Sequence, residues 1–348
     1  MTAVTQREAM PTAEFQNNRD LLFGVAYRVL GSVADAEDVV QEAWLRWHRV
    51  DAADIADPRS FLIKVSTRLA LDRLRRAKAR RETYVGPWLP EPLPTGPEVE
   101  ESAELADSVS MAMLVVLETL SPLERVVFLL REAFDFSFAD IADILERSEP
   151  AVRQVASRAR SHVRARRPRF RHDHKAGRRV TERFLAACLG ADMDEMLGML
   201  APEVTLRLDG NGLRGVAQVP VHGPVLVSRM LVHGITKFAR PAPGVDPDDP
   251  CAGLGRSLIE VNGGPAALIM VAGKPVGVLV ADVDPETERV VDVWIVANPE
   301  KLANSRVIEL PRRDYRPPGP RSPTALAGWP GRDRTRPPPT ARERGAGA

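Results

Sequence analysis

Arg153, Gln154, Ser157, Arg158 and Arg160 alternate with Ala151, Val152, Val155 and Ala159 at helical spacing. One face of such a helix packs inward, and the other presents guanidinium and amide groups. Arginine pairs bidentately with guanine and glutamine with adenine along a major groove, so this face suits the reading of duplex DNA. Ser148 is a natural cap, and the first helical turn can bring backbone N–H groups to a phosphate. Phe138 to Leu145, with Ala139, Ile141, Ala142, Ile144 and Leu145, supplies the supporting helix of a helix-turn-helix. Arg164, Arg166, Arg167, Arg169 and Arg171 have no base-selecting spacing and read as phosphate contacts. The alternative is an ordinary helical hairpin with a solvated charged face. The local field argues for DNA: residues 147–183 carry 13 Lys/Arg against 3 acidic residues, a balance of +10.

A second basic stripe runs through Arg68, Arg73, Arg75, Arg76, Lys78, Arg80 and Arg81. Residues 68–81 hold 7 basic residues against 1 acidic, giving +6. This is either a second nucleic-acid face or a solvated helix end. Residues 82–110 carry 7 acidic residues and no basic one. The formal net charge of +1 over 348 residues is therefore a sum of opposed fields. Catalytic chemistry is poorly served. Asp209, His222, His233 and Asp292 are the polar candidates in the C-terminal part, but His222 and His233 stand eleven residues apart among prolines and glycines. No zincin helix, nucleophile elbow or phosphate-binding glycine loop is present. No catalytic residue, metal or cofactor is expected, and Met230 and Met270 read as core fillers. Two cysteines, Cys188 and Cys251, cannot build a disulfide framework. No window reaches 18 apolar residues and no signal peptide is visible, so a cytoplasmic protein without a membrane span is expected.

The length predicts two to three domains. Residues 1 to about 14 read as a loose arm. A helical pattern runs from Asp20 to Val50, broken at Gly31, with Ser32 capping the second helix and Asp35 at its third position. A third helix covers about Pro58 to Arg81. Five prolines between 87 and 97 then preclude helix or central strand and predict a linker. Trp88 and Leu89 are unusual in a free linker and suggest that it docks. A second helical unit spans about Ser102 to Arg167, with a full start signal at Ser121-Pro122-Leu123-Glu124. After about Arg178 the pattern becomes α+β. A helix near 181–200 precedes a strand at 204–208, residues 223–239 fit a helix only loosely, and three strand-like runs fill 256–297 as a curved antiparallel sheet. Residues 311–348 hold 9 Pro and 9 Arg and predict a disordered tail.

Two small helical units joined by an acidic, proline-bearing linker resemble regions two and four of a bacterial RNA polymerase sigma factor of the extracytoplasmic-function type. The resemblance rests on AYRVLGSVADAEDVVQEAWLRW (26–47), PRSFLIKVSTRLALDRLRRAKARR (58–81) and LSPLERVVFLLREAFDFSFADIADILERSEPAVRQVASRARSHVR (120–164). It extends to a subgroup carrying a fused C-terminal SnoaL-like domain. Trp88-Leu89-Pro90-Glu91-Pro92 resembles that subgroup's linker motif. Asp209-Gly210-Asn211-Gly212-Leu213 resembles its glycine-rich motif, with Leu213 where a lysine is usual. Asn298-Pro299-Glu300-Lys301-Leu302 resembles the motif closing the domain.

The fold implied is two all-α sigma domains, the second with the helix-turn-helix, followed by an α+β, cone-shaped SnoaL-like domain. The boundaries implied are 15–83 for region two, 84–105 for the linker, 106–170 for region four, 178–305 for the SnoaL-like domain and 311–348 for the tail. The resemblance implies core RNA polymerase and promoter DNA as partners, with contacts on the largest-subunit clamp and the flap. Asp35, Glu37, Asp38, Gln41 and Glu42 would meet the clamp, with Trp44 packing inside the domain. Arg59, Lys64, Arg68, Arg73, Arg75, Arg76 and Arg80 would hold the −10 non-template strand. Ser148, Arg153, Gln154, Ser157, Arg158 and Arg160 would read the −35 duplex. Trp88 to Pro92, Asp209 to Gly212, Asn298, Pro299, Lys301 and Leu302 would be regulatory contacts. The subgroup implies regulation in cis, replacing or supplementing a separate anti-sigma protein, in a free monomer. Two other readings stay open: a helix-turn-helix regulator independent of polymerase, which leaves 26–81 idle, and a SnoaL-like enzyme carrying a DNA-binding module.

Overall fold

The helices begin and end where local chemistry dictates. In the computed structural model, which describes residues 2–50, 55–95, 110–166, 174–238, 254–304 and 313–314, α1 spans Thr2–Leu30 and stops at Gly31. Gly31 has φ +67°, a left-handed conformation that a glycine adopts without steric cost. The Ser32 hydroxyl accepts from the Asp35 amide at 3.2 Å and starts α2 (Val33–Trp47). Asp57 caps α3 (Pro58–Arg81), with proline in its first turn. The expected loose arm at 1–14 is instead the first part of α1. Its Ala, Gln, Arg and Glu residues are good helix formers, and without an apolar period they gave no helical signal.

The second helical unit is α4 (Met111–Leu117), α5 (Pro122–Glu132), α6 (Phe138–Leu145) and α7 (Glu149–Arg166). Ser121 and Ser137 each close a capping box, with Glu124 and Asp140 respectively. The two units share one apolar core. Leu22, Leu30, Trp47, Leu62 and Leu74 belong to the same buried cluster as Leu120, Val127, Ile141, Val152 and Ala159.

The C-terminal part contains α8 (His174–Leu189), α9 (Met193–Met199), β1 (Leu200–Asp209), β2 (Val221–His222), α10 (Pro224–Phe238), β3 (Leu254–Val261), β4 (Gly264–Val271), β5 (Lys274–Asp284), β6 (Arg289–Val296), α11 (Pro299–Asn304) and β7 (Arg313–Asp314). The sheet order is β2-β1-β6-β5-β4-β3-β7. The expected antiparallel sheet forms over β3 to β6, and β1 joins it in parallel with β6, Leu206 lying opposite Val293. A parallel pair needs a long crossover, and the chain between β1 and β6 supplies it. The loosely patterned 223–239 segment is helix α10, and Arg313–Asp314, within the expected disordered tail, pair with β3. The rest of that tail lies outside the described residues, as do linker residues 96–105 and the phosphate-contact candidates Arg167, Arg169 and Arg171.

Each face of the sheet is covered by different partners. One face packs Phe184, Leu185, Met196 and Leu231 from α8, α9 and α10 against Leu206, Ile269 and Val293. The opposite face, with Ile259, Leu268, Val280 and Trp294, is covered by Leu89 of the linker, Met111 and Ala112 of α4 and Leu302 of α11.

Candidate functional site: basic helix faces and a clasped linker

On α7, Val152, Val155, Ala156, Ala159 and Val163 are buried, while Arg153, Gln154, Ser157 and Arg158 are exposed, as is Ser148 just before the helix. The structure brings these five side chains to one surface. Arg153 is held by Glu149, its Nε 3.0 Å from the carboxylate, and lies 4.7 Å from the centre of the Phe138 ring. Arg160 is half-buried and tied to Glu132 at 2.6 Å.

On α3, Arg59, Arg75, Arg76 and Arg80 are exposed. The other three predicted −10 residues are engaged within the protein. Arg73 bridges to Asp35 at 3.0 Å and Asp38 at 2.6 Å, two residues predicted for polymerase contact. Lys64 and Arg68 reach across to the end of α6, pairing with Asp143 and Glu146, each at 2.8 Å. Glu37, Asp38, Gln41 and Glu42 are exposed along α2, and Arg19 pairs with Glu37 at 2.9 Å. Trp44 is half-buried with its ring 4.9 Å from that of Phe15. Leu45, which sequence reasoning passed over, is 49% exposed beside these acids.

The linker is the most tightly specified part of the site. Pro90, Pro92 and Pro94 occupy alternate positions and have no N–H to satisfy. Each residue between them donates to a different partner. Leu89 N–H donates to Asp209 Oδ2 at 2.8 Å, Glu91 N–H to the Gly31 carbonyl at 2.9 Å, Leu93 N–H to Asn262 Oδ1 at 3.2 Å and Thr95 N–H to the Glu260 carbonyl at 3.1 Å. Three of their carbonyls are engaged as well. Leu89 O accepts from Lys301 Nζ, Glu91 O from the Tyr27 hydroxyl at 2.7 Å, and Leu93 O from the Asn262 amide at 2.9 Å. Burial of an extended segment demands that its N–H groups be paired, and the proline alternation halves the donors that need it. Trp88 and Leu89 were the legible signal that this linker docks.

The predicted regulatory residues converge here. Asp209 is fully buried and also accepts from Lys301 Nζ at 2.6 Å and the Tyr84 hydroxyl at 2.5 Å. Burial lowers the Lys301 ammonium's pKa, against the opposing pull of Asp209. Asn298 donates to the Tyr84 hydroxyl at 3.0 Å, and Leu302 packs with Leu89. Trp88 lies between two cations, the Arg81 guanidinium 3.3 Å and the Lys301 ammonium 3.9 Å from its ring centre. Glu91 caps α2 from outside, accepting from Val33 N–H at 2.6 Å and from the Ser32 hydroxyl at 3.1 Å, and burial pushes its carboxyl above the ordinary range. Asn211 and Gly212 turn with positive φ, and a Cβ at Gly210 would meet Val216 at 2.9 Å. Pro299 begins α11. Leu213, in the lysine's place, is 40% exposed.

Sequence reasoning missed the groups that join the linker to its neighbours. Tyr27 receives Asn262 Nδ2 at 2.7 Å and so links the first helical unit to the sheet. Arg125 is completely buried, donates twice to the Arg28 carbonyl at 3.1 and 3.0 Å, and shares Glu118 with Arg81. The enzyme candidates do not assemble. Asp209 is committed to the linker, Asp292 pairs with Arg207, His222 Nδ1 lies 3.3 Å from the Thr205 hydroxyl, and His233 is exposed on α10. Among the described residues no group of three His, Cys, Asp or Glu is placed to hold a metal ion, and no helix is long and apolar enough to cross a membrane.

Family models agree with this division. Residues 15–80 match Sigma-70 region 2, and residues 110–163 match Sigma-70 region 4. The chain is similar to the ECF RNA polymerase sigma factor SigJ of Mycobacterium tuberculosis, 38% identical over 311 residues, covering 86% of this chain and 96% of that protein. It is also similar to the probable ECF RNA polymerase sigma factor SigI of the same species, 30% identical over 296 residues and covering 84% and 94%. The crystal structure of the M. tuberculosis extracytoplasmic function sigma factor SigJ superposes with a TM-score of 0.67 at 35% identity, covering 85% of this chain and 99% of that one. The chain belongs to the extracytoplasmic-function family of RNA polymerase sigma factors, which bind core polymerase and promoter DNA to direct the initiation of transcription.

Proposed function

We propose that this sigma factor is regulated in cis by its C-terminal α+β unit, which holds the linker between regions two and four. In this reading Asp35, Glu37, Asp38, Gln41 and Glu42, with Leu45 as an apolar anchor, meet the largest-subunit clamp of core polymerase. The flap takes region four. Exposed Arg59, Arg75, Arg76 and Arg80 hold phosphates of the −10 non-template strand, joined by Lys64 and Arg68 once these are released. Arg73 moves from the −10 set to the polymerase face, because both of its bonds go to α2 acids. Ser148, Arg153, Gln154, Ser157 and Arg158 read the −35 duplex, with Arg160 at the edge. The C-terminal unit, a cone of SnoaL-like type, acts as a built-in holder in place of a separate anti-sigma protein, in a monomer that works in the cytoplasm with its polymerase.

One observation carries the proposal. Every N–H from Leu89 to Thr95 is paired, and three of the four partners lie on the C-terminal unit. A linker held donor by donor restricts how regions two and four can separate on a promoter. Truncation near Arg178 tests this, because among the described residues the core of α1 to α7 draws none from beyond Val163. The truncated chain is expected to keep its affinity for core polymerase while changing run-off output or promoter choice. Unchanged output and choice would end the proposal.

A further inference from the structure

We propose that the corner between the two helices of the helix-turn-helix, Asp143 to Glu146, is a phosphate mimic that occupies the −10 face of α3 in the free protein. The proposal rests on the reading of α3 as the −10 face. Lys64 Nζ lies 2.8 Å from Asp143 Oδ2, and Arg68 Nη2 lies 2.8 Å from Glu146 Oε1. Arg68 Nε also donates to the Ile144 carbonyl at 2.8 Å. Two carboxylates and a carbonyl at the negative end of α6 thus present clustered oxygens to two cations, as a nucleic-acid backbone would. DNA phosphates and this corner compete for the same two side chains.

Backbone conformation argues that the arrangement is more than incidental. Glu146 sits at the left-handed cap of α6, with φ 52° and ψ 50°. That position favours glycine or asparagine, and a glutamate there carries steric cost. Glycine would satisfy the turn but would leave Arg68 without its carboxylate. The seam is also built to part. Asp143 and Glu146 are each 74% exposed, so both pairs are screened by salt and individually weak. Beside Arg68 the seam leaves a cleft of about 200 Å³ bounded by Leu71, Arg75, Leu123 and Arg147.

The test uses the full chain without polymerase and a fluorescent single-stranded −10 oligonucleotide. E146G, which removes one exposed pair, is expected to bind about two- to fivefold more tightly than the parent, and the double variant D143N/E146G, which removes two, about five- to tenfold. Their melting temperature should hold or rise, because glycine relieves the strained cap. Unchanged affinity in both variants, with the fold intact, would overturn the mimic. A lower melting temperature with no gain in affinity would mark Glu146 as structural and overturn it equally. R75Q/R76Q, outside the corner, separates this from the underlying reading: with core polymerase present it should impair promoter opening. If it does not, α3 is not the −10 face and the inference falls with it.

Discussion

Replacing Asp209 with alanine should release the linker. The carboxylate accepts from the Leu89 N–H, the Tyr84 hydroxyl and the Lys301 ammonium, and it is fully buried. Alanine leaves the ammonium in a closed site with the Leu89 carbonyl and the face of Trp88. Breaking a buried ion pair from one side costs about 3–5 kcal/mol. Two relaxations lower that figure. Lys301 already has a lowered pKa and can shed its proton, and an undocked linker returns all three donors to water. The docking free energy should therefore fall by about 3 kcal/mol, the low end of that range. Each 1.4 kcal/mol is about tenfold in an opening equilibrium, so amide exchange at Leu89, Glu91, Leu93 and Thr95 should accelerate by about 100-fold. Paired replacement, Asp209→Leu with Lys301→Met, removes the stranded charge but leaves the Leu89 N–H and carbonyl unpaired, so it should recover only part of the protection. Exchange at Leu89 within about threefold of the parent in D209A, where about 100-fold is expected, would refute the claim that this carboxylate holds the linker.

Other consequences are smaller but equally direct. Burial raises the Glu91 carboxyl's pKa, so the folded protein keeps this proton into a pH range where the unfolded chain has lost it. Its contribution to stability is present below the ordinary glutamate pKa and is lost as pH rises through the folded value. Urea unfolding across about pH 4 to 7 should show a shallower loss in E91Q, and an identical pH profile would contradict this. Gly31→Ala places a Cβ 2.9 Å from Trp88 Cη2 at φ +67°, and should cost at least about 1–2 kcal/mol in denaturation while loosening the linker. Arg153→Ala should narrow the gap between cognate and altered −35 duplexes by about 1–3 kcal/mol in titrations, whereas equal losses on both would place Arg153 on phosphate.

The local grammar of the fold was legible. Ser32 and Ser121 announced helices that the structure caps as expected, and the apolar face of α7 was readable from Val152, Val155 and Ala159. Trp88 and Leu89 signalled a docked linker. The partners of that linker were not readable from spacing. Leu89 and Asp209 are 120 residues apart, and Tyr27 and Asn262 are 235 apart, so no periodicity links them. The motif resemblance supplied Asp209 and Lys301 as candidates but not their mutual contact. The parallel β1–β6 pairing escaped for a similar reason, because alternation gives a strand and not its neighbour. Charge patterning was half informative. It located the basic stripe of α3, but it could not show that Lys64, Arg68 and Arg73 spend their charge inside the free protein.

Run-off transcription with purified core polymerase, on a template bearing paired −35 and −10 elements and with no other sigma factor present, is the most direct test of how the helical surfaces work together. A transcript of defined length that depends on this chain, and that is lost when Arg75 and Arg76 or Arg153 and Arg158 are neutralised, is the expected result. Duplex binding through α7 without any initiated RNA, in both the full chain and the chain truncated near Arg178, would contradict it.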